Sequence, residues 1–196
     1  VKGIQSLRGA DIFATDLRPA TPVFVRLPLG TAEADHEPAA GADRAGLARH
    51  VVQVQRLLRD HGGVLLEVAV DASGTALYGN FGAAHVHEDD AARAVRAALA
   101  LRQHLDDAGL AAQVGVSAGT LCVGGYGSTS RRSYGAIGDE VNTAARLMGL
   151  AQPGEILASG RVRQAVGDDV FAVEPRPPIA MKGNMLDLAI GVIIGG

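Results

Sequence analysis

The chain has 196 residues, of which 47% are hydrophobic, and a formal net charge of −3. This length and apolar content suffice for one domain with its own core. The small negative charge, without a block of basic residues, argues against nucleic acid or an anionic membrane as a partner. The single cysteine, Cys122, excludes an internal disulfide framework and favours the cytoplasm. The chain begins at Val1 without a signal peptide, so we expect a piece of a longer protein.

The first half of the chain predicts a strand, a helix and a hairpin after an irregular lead-in at residues 1–20. An apolar run rich in β-branched residues indicates the strand, and an acidic, Ala/Pro-rich stretch then indicates a loop. Apolar residues next recur at helical spacing, and two further apolar runs flank a tight turn. In order, these are strand 21–27, loop 31–42, helix 43–60, strand 64–70, turn 71–74 and strand 75–81.

The second half predicts two longer helices separated by two strands that pivot on Gly119. In order, the elements are helix 88–105, strands 112–118 and 120–126, loop 127–133, helix 139–149, strand 155–158, helix 159–166 and strands near 171–173 and 179–181. Strand, helix, hairpin, helix, strand is a split βαβ order. The sequence therefore predicts an α+β fold, a ferredoxin-like βαββαβ sandwich.

The helix that follows Gly138 carries the clearest functional pattern. Asp139 is placed to cap it, and Asn142 and Arg146 lie four residues apart, so their side chains leave one face. An amide that orients a hydroxyl and a guanidinium that binds phosphoryl oxygens suit a phosphorylated ligand. The alternative is a solvated helix face on which Arg146 pairs with a surface carboxylate. The opposite, apolar face is expected to dock on the sheet through Val141, Ala145 and Met148.

Four motifs, spread over about residues 20–183, resemble the class III adenylyl/guanylyl cyclase catalytic domain in their order. They are Phe81-Gly82 followed by His87-Glu88-Asp89-Asp90-Ala91 and Arg93-Ala94, then Gly-Asp-x-Val-Asn-x-Ala-Ala-Arg-Leu from Gly138, then Pro153-Gly154-Glu155-Ile156-Leu157, and Met181-Lys182-Gly183. The resemblance implies the same sandwich. It also implies a reaction in which the ribose 3′-oxygen of a nucleoside triphosphate attacks the α-phosphate and expels pyrophosphate. In this family the site lies between two such domains.

The resemblance assigns roles to five residues. Asn142 would orient the ribose, Arg146 would stabilise the transition state, and Lys182 would reach the triphosphate, unless Lys182 is only a solvated strand end. Glu67 occupies the position where adenylyl cyclases have lysine, and Gly135 the position of their Asp or Thr. Glu67 is formally the guanine-type residue, because a carboxylate can accept both N1–H and N2–H. Gly135 offers no side chain, and Glu67 could equally be a charged residue at the rim, so the base stays open.

The two metal positions of the family are degenerate here. The family holds two Mg²⁺ ions with two aspartates, one ending the first strand and one in the hairpin turn. Arg26 stands at the first position, where a fixed cation repels the ion. Counting back from Phe81 places Ala72 at the second position, with Asp71 one residue away; Asp71 is otherwise a plain turn residue. We therefore expect no metal site in this domain, and Mg²⁺ only through a partner domain's aspartates.

The hairpin with the turn at residues 71–74 is three residues longer than the usual cyclase turn. Its amino-acid sequence resembles that of the second cyclase domain of tandem, soluble-adenylyl-cyclase-like proteins. This favours the second half of a composite adenylyl cyclase, which converts ATP to cyclic AMP and is inactive alone. Two alternatives stay open. One is a non-catalytic regulatory module with a nucleotide or bicarbonate-like pocket; the other is a self-sufficient homodimeric cyclase that uses Asp71 together with an unrecognised metal ligand.

The expected domain spans residues 21–183, and residues 184–196 form an apolar tail. The tail resembles the start of a mechanosensitive channel helix, but its apolar run of about nine residues is well short of the ~20 that a bilayer needs. A closing strand, a fusion scar and a truncated membrane segment are the possible explanations, and we favour the closing strand. No membrane association is expected.

Overall fold

A computed structural model describes residues 15–29, 42–127, 132–167, 171–176 and 190–193, which form nine strands and four helices. The mixture of sheet and helices confirms the predicted α+β sandwich. The elements are β1 (Asp16–Leu27), α1 (Ala42–Asp60), β2 (Val64–Asp71), β3 (Gly74–Phe81), α2 (Asp90–Asp107), β4 (Gln113–Val116), β5 (Gly119–Gly127), β6 (Arg132–Ile137), α3 (Asp139–Leu150), β7 (Ile156–Ser159), α4 (Gly160–Val166), β8 (Val173–Arg176) and β9 (Ile190–Ile193).

Strand β1 lies at the centre of the sheet and pairs with three other strands. Its second part, residues 21–27, runs antiparallel to β3, and residues 23–26 also run antiparallel to β4. Its first part, residues 16–20, pairs instead with β5. The strand order is β2-β3-β1-β4-β7-β9-β8, and the β5–β6 hairpin branches from β1. One strand therefore holds the main sheet and the branching hairpin together.

The helices cover both faces of the sheet. Helices α1, α2 and α4 contribute to one large core with the inward side chains of β1, β3, β4 and β7. Along β4, Val114 and Val116 belong to that core, whereas Gly115 faces α3, as strand alternation requires. A Cβ atom at Gly115 would lie 2.1 Å from the carbonyl oxygen of Ala144. The absence of a side chain at this position therefore lets the α3 backbone lie directly on the sheet.

Two strands begin or lie where the sequence predicted irregular structure. Strand β1 begins at Asp16, five residues before the predicted start at Thr21, and it includes Pro19. Proline is tolerated there because this part of β1 pairs with β5 alone, so its missing N–H interrupts no second ladder. Strand β6 occupies Arg132–Ile137, which overlaps the predicted loop 127–133. Its Tyr134-Gly135-Ala136 sequence lacks the alternation on which strand prediction depends.

Helix α3 uses a different buried face from the one predicted. Asp139 is its first residue rather than its cap; Gly138 takes the cap position, and no side chain caps the helix. Of the predicted apolar face only Met148 is buried, while Val141 and Ala145 are partly exposed. The buried residues are Glu140, Thr143, Ala144, Leu147 and Met148. The predicted face followed the apolar residues, whereas the buried face includes the charged Glu140 and the polar Thr143.

The C-terminal tail contributes at least one strand. Residues 190–193 form β9, which pairs antiparallel with β7 and with β8. The strand predicted near residues 179–181 and all but the last residue of the loop predicted at residues 31–42 lie outside the described residues; residue 42 begins α1. Strands β1 and β9 extend past the 21–183 range expected for the domain. Among the described helices, none has both the length and the apolar content to cross a membrane.

A histidine pair at the contact of α1 with α2 predicts acid sensitivity. The rings of His50 and His104 have centroids 6.2 Å apart. Burial, then the charges of His104 and Arg49, lower the pKa of His50 below its ordinary 6.5. Because the pKa of His50 is lower in the folded chain than in the unfolded chain, the neutral imidazole stabilises the fold at a pH above the unfolded pKa. This stabilisation is lost as the pH falls through the folded pKa. We expect the urea concentration at the unfolding midpoint to decrease as the pH is lowered below 6.5, and to decrease less in His50→Gln. An equal acid loss in both proteins would contradict this.

Candidate active site

A cavity of about 380 Å³ opens between strand β2, the β5–β6 hairpin and the start of α3. Glu67, Gly135 and Asn142, which the sequence analysis assigned to nucleotide binding or catalysis, all line it. Leu66 lines it as well, although consecutive residues of a regular strand face opposite sides. The register of β2 against β3 shifts between Leu65 and Glu67, and such a bulge re-aims the side chains beside it. The bulge thus lets Glu67 face the cavity.

The floor of the cavity is aromatic and neutral. The rings of Phe24 and Tyr78 are stacked, with centroids 4.7 Å apart and planes 5° from parallel. The hydroxyl of Tyr78 donates to the carbonyl oxygen of Ala136 and accepts from Asn80 Nδ2, both at 3.2 Å. Burial is the main reason that the pKa of Tyr78 is raised to about 12, and the neighbouring Tyr126 and Glu67 add to the rise. Tyr78 is therefore uncharged at neutral pH and anchors the floor to β6.

Two further tyrosines lie at the rim. The hydroxyl of Tyr134 donates to the carbonyl oxygen of Ala83 at 2.5 Å, which ties β6 to the chain after β3. The ring of Tyr126 lies against Gly135. Sequence reasoning missed these residues and Tyr78 as part of the site, because only the pairing of β5 with β6 brings them to one cavity. The sequence did offer one signal for this part of the site: Tyr126 and Tyr134 directly flank the predicted loop 127–133.

The remaining catalytic candidates stand on or near α3. Asn142 is exposed and borders the cavity. Arg146 is also exposed and lies about one turn further along the same helix, as its spacing requires. Lys182 lies outside the described residues. The structure therefore brings Asn142 close to Glu67 and Gly135, the candidates for base binding. Arg146 lies on the same helix, one turn after Asn142.

The start of α3 is fixed by a buried carboxylate. Glu140 accepts a hydrogen bond from the Ser117 hydroxyl at 2.5 Å and pairs with Arg161 Nη1 at 3.0 Å. The Ser117 oxygen also lies 2.9 Å from Ser159 Oγ. A buried carboxylate with a cation and a hydrogen-bond donor is satisfied rather than costly. These contacts join α3 to the residue that follows β4 and to α4, and so set the position of Asn142.

Arg26, at the first degenerate metal position, forms an ion pair with Asp71, the neighbour of the second position. Arg26 Nη2 lies 3.9 Å from Asp71 Oδ2, and the other oxygen of Asp71 accepts the backbone N–H of Ser73 at 2.7 Å. Asp71 thus faces Arg26 from the end of β2, whereas Ala72 lies exposed in the turn. The guanidinium supplies no ligand and repels a divalent ion, so these residues do not fit a magnesium site. Nowhere in the described part of the chain do three His, Cys, Asp or Glu residues cluster as a metal site would require.

Comparison with known proteins gives a family and several structural relatives. The family described as "Adenylate and Guanylate cyclase catalytic domain" matches residues 35–193. An uncharacterized protein of Mycobacterium tuberculosis is 33% identical over 153 residues, which is 77% of this chain but 28% of that protein. The solved adenylyl cyclase CyaB from P. aeruginosa has a TM-score of 0.83 at 25% identity, covering 94% of this chain and 97% of that chain. The solved guanylyl cyclase Cya2 has a TM-score of 0.68 at 26% identity, covering 93% of this chain and 95% of that chain.

The family match spans most of the elements that line the cavity. The family match covers β2, the β5–β6 hairpin and α3, which together carry Glu67, Gly135 and Asn142. Both solved relatives are superimposable over nearly their whole length, so the sandwich and its helix order are shared. The matched part of the chain spans just over a quarter of the length of the mycobacterial relative. It belongs to the adenylate and guanylate cyclase catalytic domain family.

Proposed function

We propose that the chain is the second half of a composite nucleotide cyclase, which binds the base and ribose but borrows its metal ligands. One observation carries the proposal: Glu67, Gly135 and Asn142 line one cavity, while Arg26, which the resemblance assigns to a metal-ligand position, pairs with Asp71. The first set of residues suits a nucleotide, and the second excludes a divalent ion. A companion cyclase domain would supply the carboxylates for Mg²⁺.

Each of this chain's own residues has a defined task in the proposed reaction. The Asn142 amide orients the ribose so that its 3′-oxygen is aligned with the α-phosphate. The Arg146 guanidinium donates to the phosphoryl oxygens, where negative charge builds up as pyrophosphate leaves. Lys182 contributes a further positive charge to the triphosphate. The sequence analysis named ATP as the substrate, and the choice of base depends on Glu67 and its neighbours.

An exposed apolar surface beside the cavity supports the companion domain. Three large apolar side chains on the β5–β6 hairpin, Tyr126, Tyr134 and Ile137, are between 37% and 54% exposed. All three also line the cavity. Exposed apolar residues grouped on one element are typical of a surface that meets another protein, and a domain docked on this hairpin would cover the cavity. We therefore place the companion on this surface.

The proposal predicts cyclic nucleotide formation only in a mixture of two domains. The chain alone, with Mg²⁺ or Mn²⁺ and ATP or GTP, should give none; mixed with a cyclase domain that carries both metal aspartates, it should be active. Arg146→Ala should lower kcat of the mixture about 10²–10³-fold, the effect of removing one donor to a transition-state oxyanion. Arg56→Ala, which removes an exposed arginine from α1, is the matched control.

A second candidate, a regulatory module without catalysis, is favoured by the Arg26–Asp71 pair alone. It predicts nucleotide binding without turnover in any mixture. Full activity of the Arg146→Ala mixture would refute the catalytic role of Arg146. Product formed by the pure chain would refute the need for a companion.

A further inference from the structure

We propose that the Tyr126 hydroxyl replaces the side chain missing at Gly135 and, together with Glu67, makes the cavity selective for guanine over adenine. This inference rests on the proposed function, because it names the base that the same cavity binds. It departs from the ATP expected from the sequence.

The ring of Tyr126 fills the space that a side chain at position 135 would need. A Cβ atom built on Gly135 would lie 2.9 Å from Tyr126 Cε1 and 3.5 Å from the Tyr126 hydroxyl oxygen. Gly135 does not have a positive φ angle, so its backbone is open to any residue. The tyrosine ring, rather than the backbone, therefore keeps this position without a side chain.

The register of the β5–β6 hairpin explains how Tyr126 reaches Gly135. Tyr126 stands opposite Ser133, and Gly124 stands opposite Gly135. Residue 135 is thus the diagonal neighbour of residue 126 on the same face, a separation that aromatic side chains span. Because Gly124 has no side chain, nothing from the directly opposite residue competes with the ring for that space.

Tyr126 and Glu67 line the same cavity. Burial raises the pKa of Tyr78, which also lines this cavity, and the electrostatic effects of Tyr126 and Glu67 add to that rise. Tyr134, the other rim tyrosine, already donates its hydroxyl proton to Ala83. Among the rim tyrosines, Tyr126 is therefore the one with a hydroxyl directed to the place of the missing side chain.

A carboxylate beside a hydroxyl matches the edge of guanine. Guanine presents an acceptor at O6 and donors at N1–H and N2–H₂. Glu67 can accept from both donors, and the Tyr126 hydroxyl can donate to O6. Adenine presents N6–H₂ and an acceptor at N1, so the N1 lone pair would face a carboxylate that has no proton to give. A site built to form such hydrogen bonds rejects a base that leaves them unmade.

Calorimetric titration of the full chain with GTP, ITP and ATP tests this inference. ITP keeps O6 and N1–H but lacks the N2 amine, so it separates the two contacts. We expect GTP to bind best, and Tyr126→Phe to weaken GTP and ITP alike by about 5–10-fold while leaving ATP unchanged, the effect of one lost neutral hydrogen bond. Thr120→Val, which removes an exposed hydroxyl from the same strand outside the cavity, should change none of the three.

A rescue variant distinguishes a hydroxyl that contacts the base from one that only supports the hairpin. Tyr126→Ala removes the ring that blocks position 135, and Gly135→Ser added to it places a new hydroxyl there. The double variant should regain the GTP preference that Tyr126→Ala loses. A GTP preference that Tyr126→Phe leaves intact but Glu67→Gln abolishes would overturn the role of Tyr126 and keep the proposed function. Failure of all three nucleotides to bind would overturn both.

Discussion

Replacing Arg26 by aspartate is expected to give the chain a divalent-cation site that it now lacks. Arg26 on β1 and Asp71 at the end of β2 lie on either side of β3, with 3.9 Å between guanidinium and carboxylate. The Asp71 side chain is 54% exposed, so the present ion pair stabilises the fold little and its loss is tolerable. Two carboxylates at these positions repel each other unless a cation binds between them, and they are the oxygen ligands that Mg²⁺ and Mn²⁺ prefer.

Mn²⁺ binding measured by electron paramagnetic resonance checks this expectation. Arg26→Asp should bind Mn²⁺, whereas the unchanged chain and the matched variant Arg26→Asn should not. Adding Asp71→Asn to Arg26→Asp should abolish the binding. Because the same chain carries Asn142 and Arg146, two copies of Arg26→Asp would also hold every residue of a complete site, and cyclic nucleotide formation without a companion is expected. Mn²⁺ held by the unchanged chain through Asp71 would refute the interpretation.

Adding a single methyl group at Gly115 should destabilise the domain strongly. A Cβ atom there would lie 2.1 Å from the Ala144 carbonyl oxygen and 2.3 Å from the Met148 backbone nitrogen. Both obstacles are backbone atoms of α3, so no side-chain rotation relieves the overlap, and the helix must move off the sheet. We expect Gly115→Ala to lower the free energy of unfolding by about 3 kcal/mol, at the upper end of the usual cost of overpacking.

Denaturant unfolding of Gly115→Ala beside Gly149→Ala tests this expectation. Gly149 lies in α3 itself, and a Cβ atom there would meet nothing within 4 Å. The control should be neutral or more stable by up to about 1 kcal/mol, because alanine favours a helix more than glycine does. Equal midpoints for the two variants would show that α3 does not lie on Gly115 in solution.

Much of the fold was predictable because its signals are local. The helical spacing of apolar residues in α1 and α2 and the tight turn between β2 and β3 depend on neighbours in the chain, and the structure confirms them. Strand β6 escaped prediction because its identity depends on pairing with β5, and Gly135 and Ala136 carry no alternation of their own. The prediction of the buried face of α3 was wrong because Glu140 is buried. Its carboxylate is stabilised there by a hydrogen bond from Ser117 and an ion pair with Arg161, which are distant in the sequence.

The candidate site likewise contains residues that a local motif predicts and residues that only long-range pairing brings into place. The sequence placed Glu67, Gly135 and Asn142 in one site through a motif resemblance, and the structure brings them to one cavity. Tyr126 has no such motif, and its contact with Gly135 appears only when the hairpin register is known. Whether Asp71 or Ala72 faces Arg26 also depended on the turn, which a count of residues from Phe81 could not place. Long-range pairing is what the linear pattern lacks.

The triple pairing of β1 has a consequence for anyone who trims this chain. The family match begins at residue 35, after β1 has ended, so a fragment cut to the matched range would lack that strand. Its removal would strip a partner from β3, β4 and β5 at once and leave three unpaired backbone edges. Such edges associate with one another. A boundary chosen from family similarity alone would thus turn a folding unit into an aggregating one.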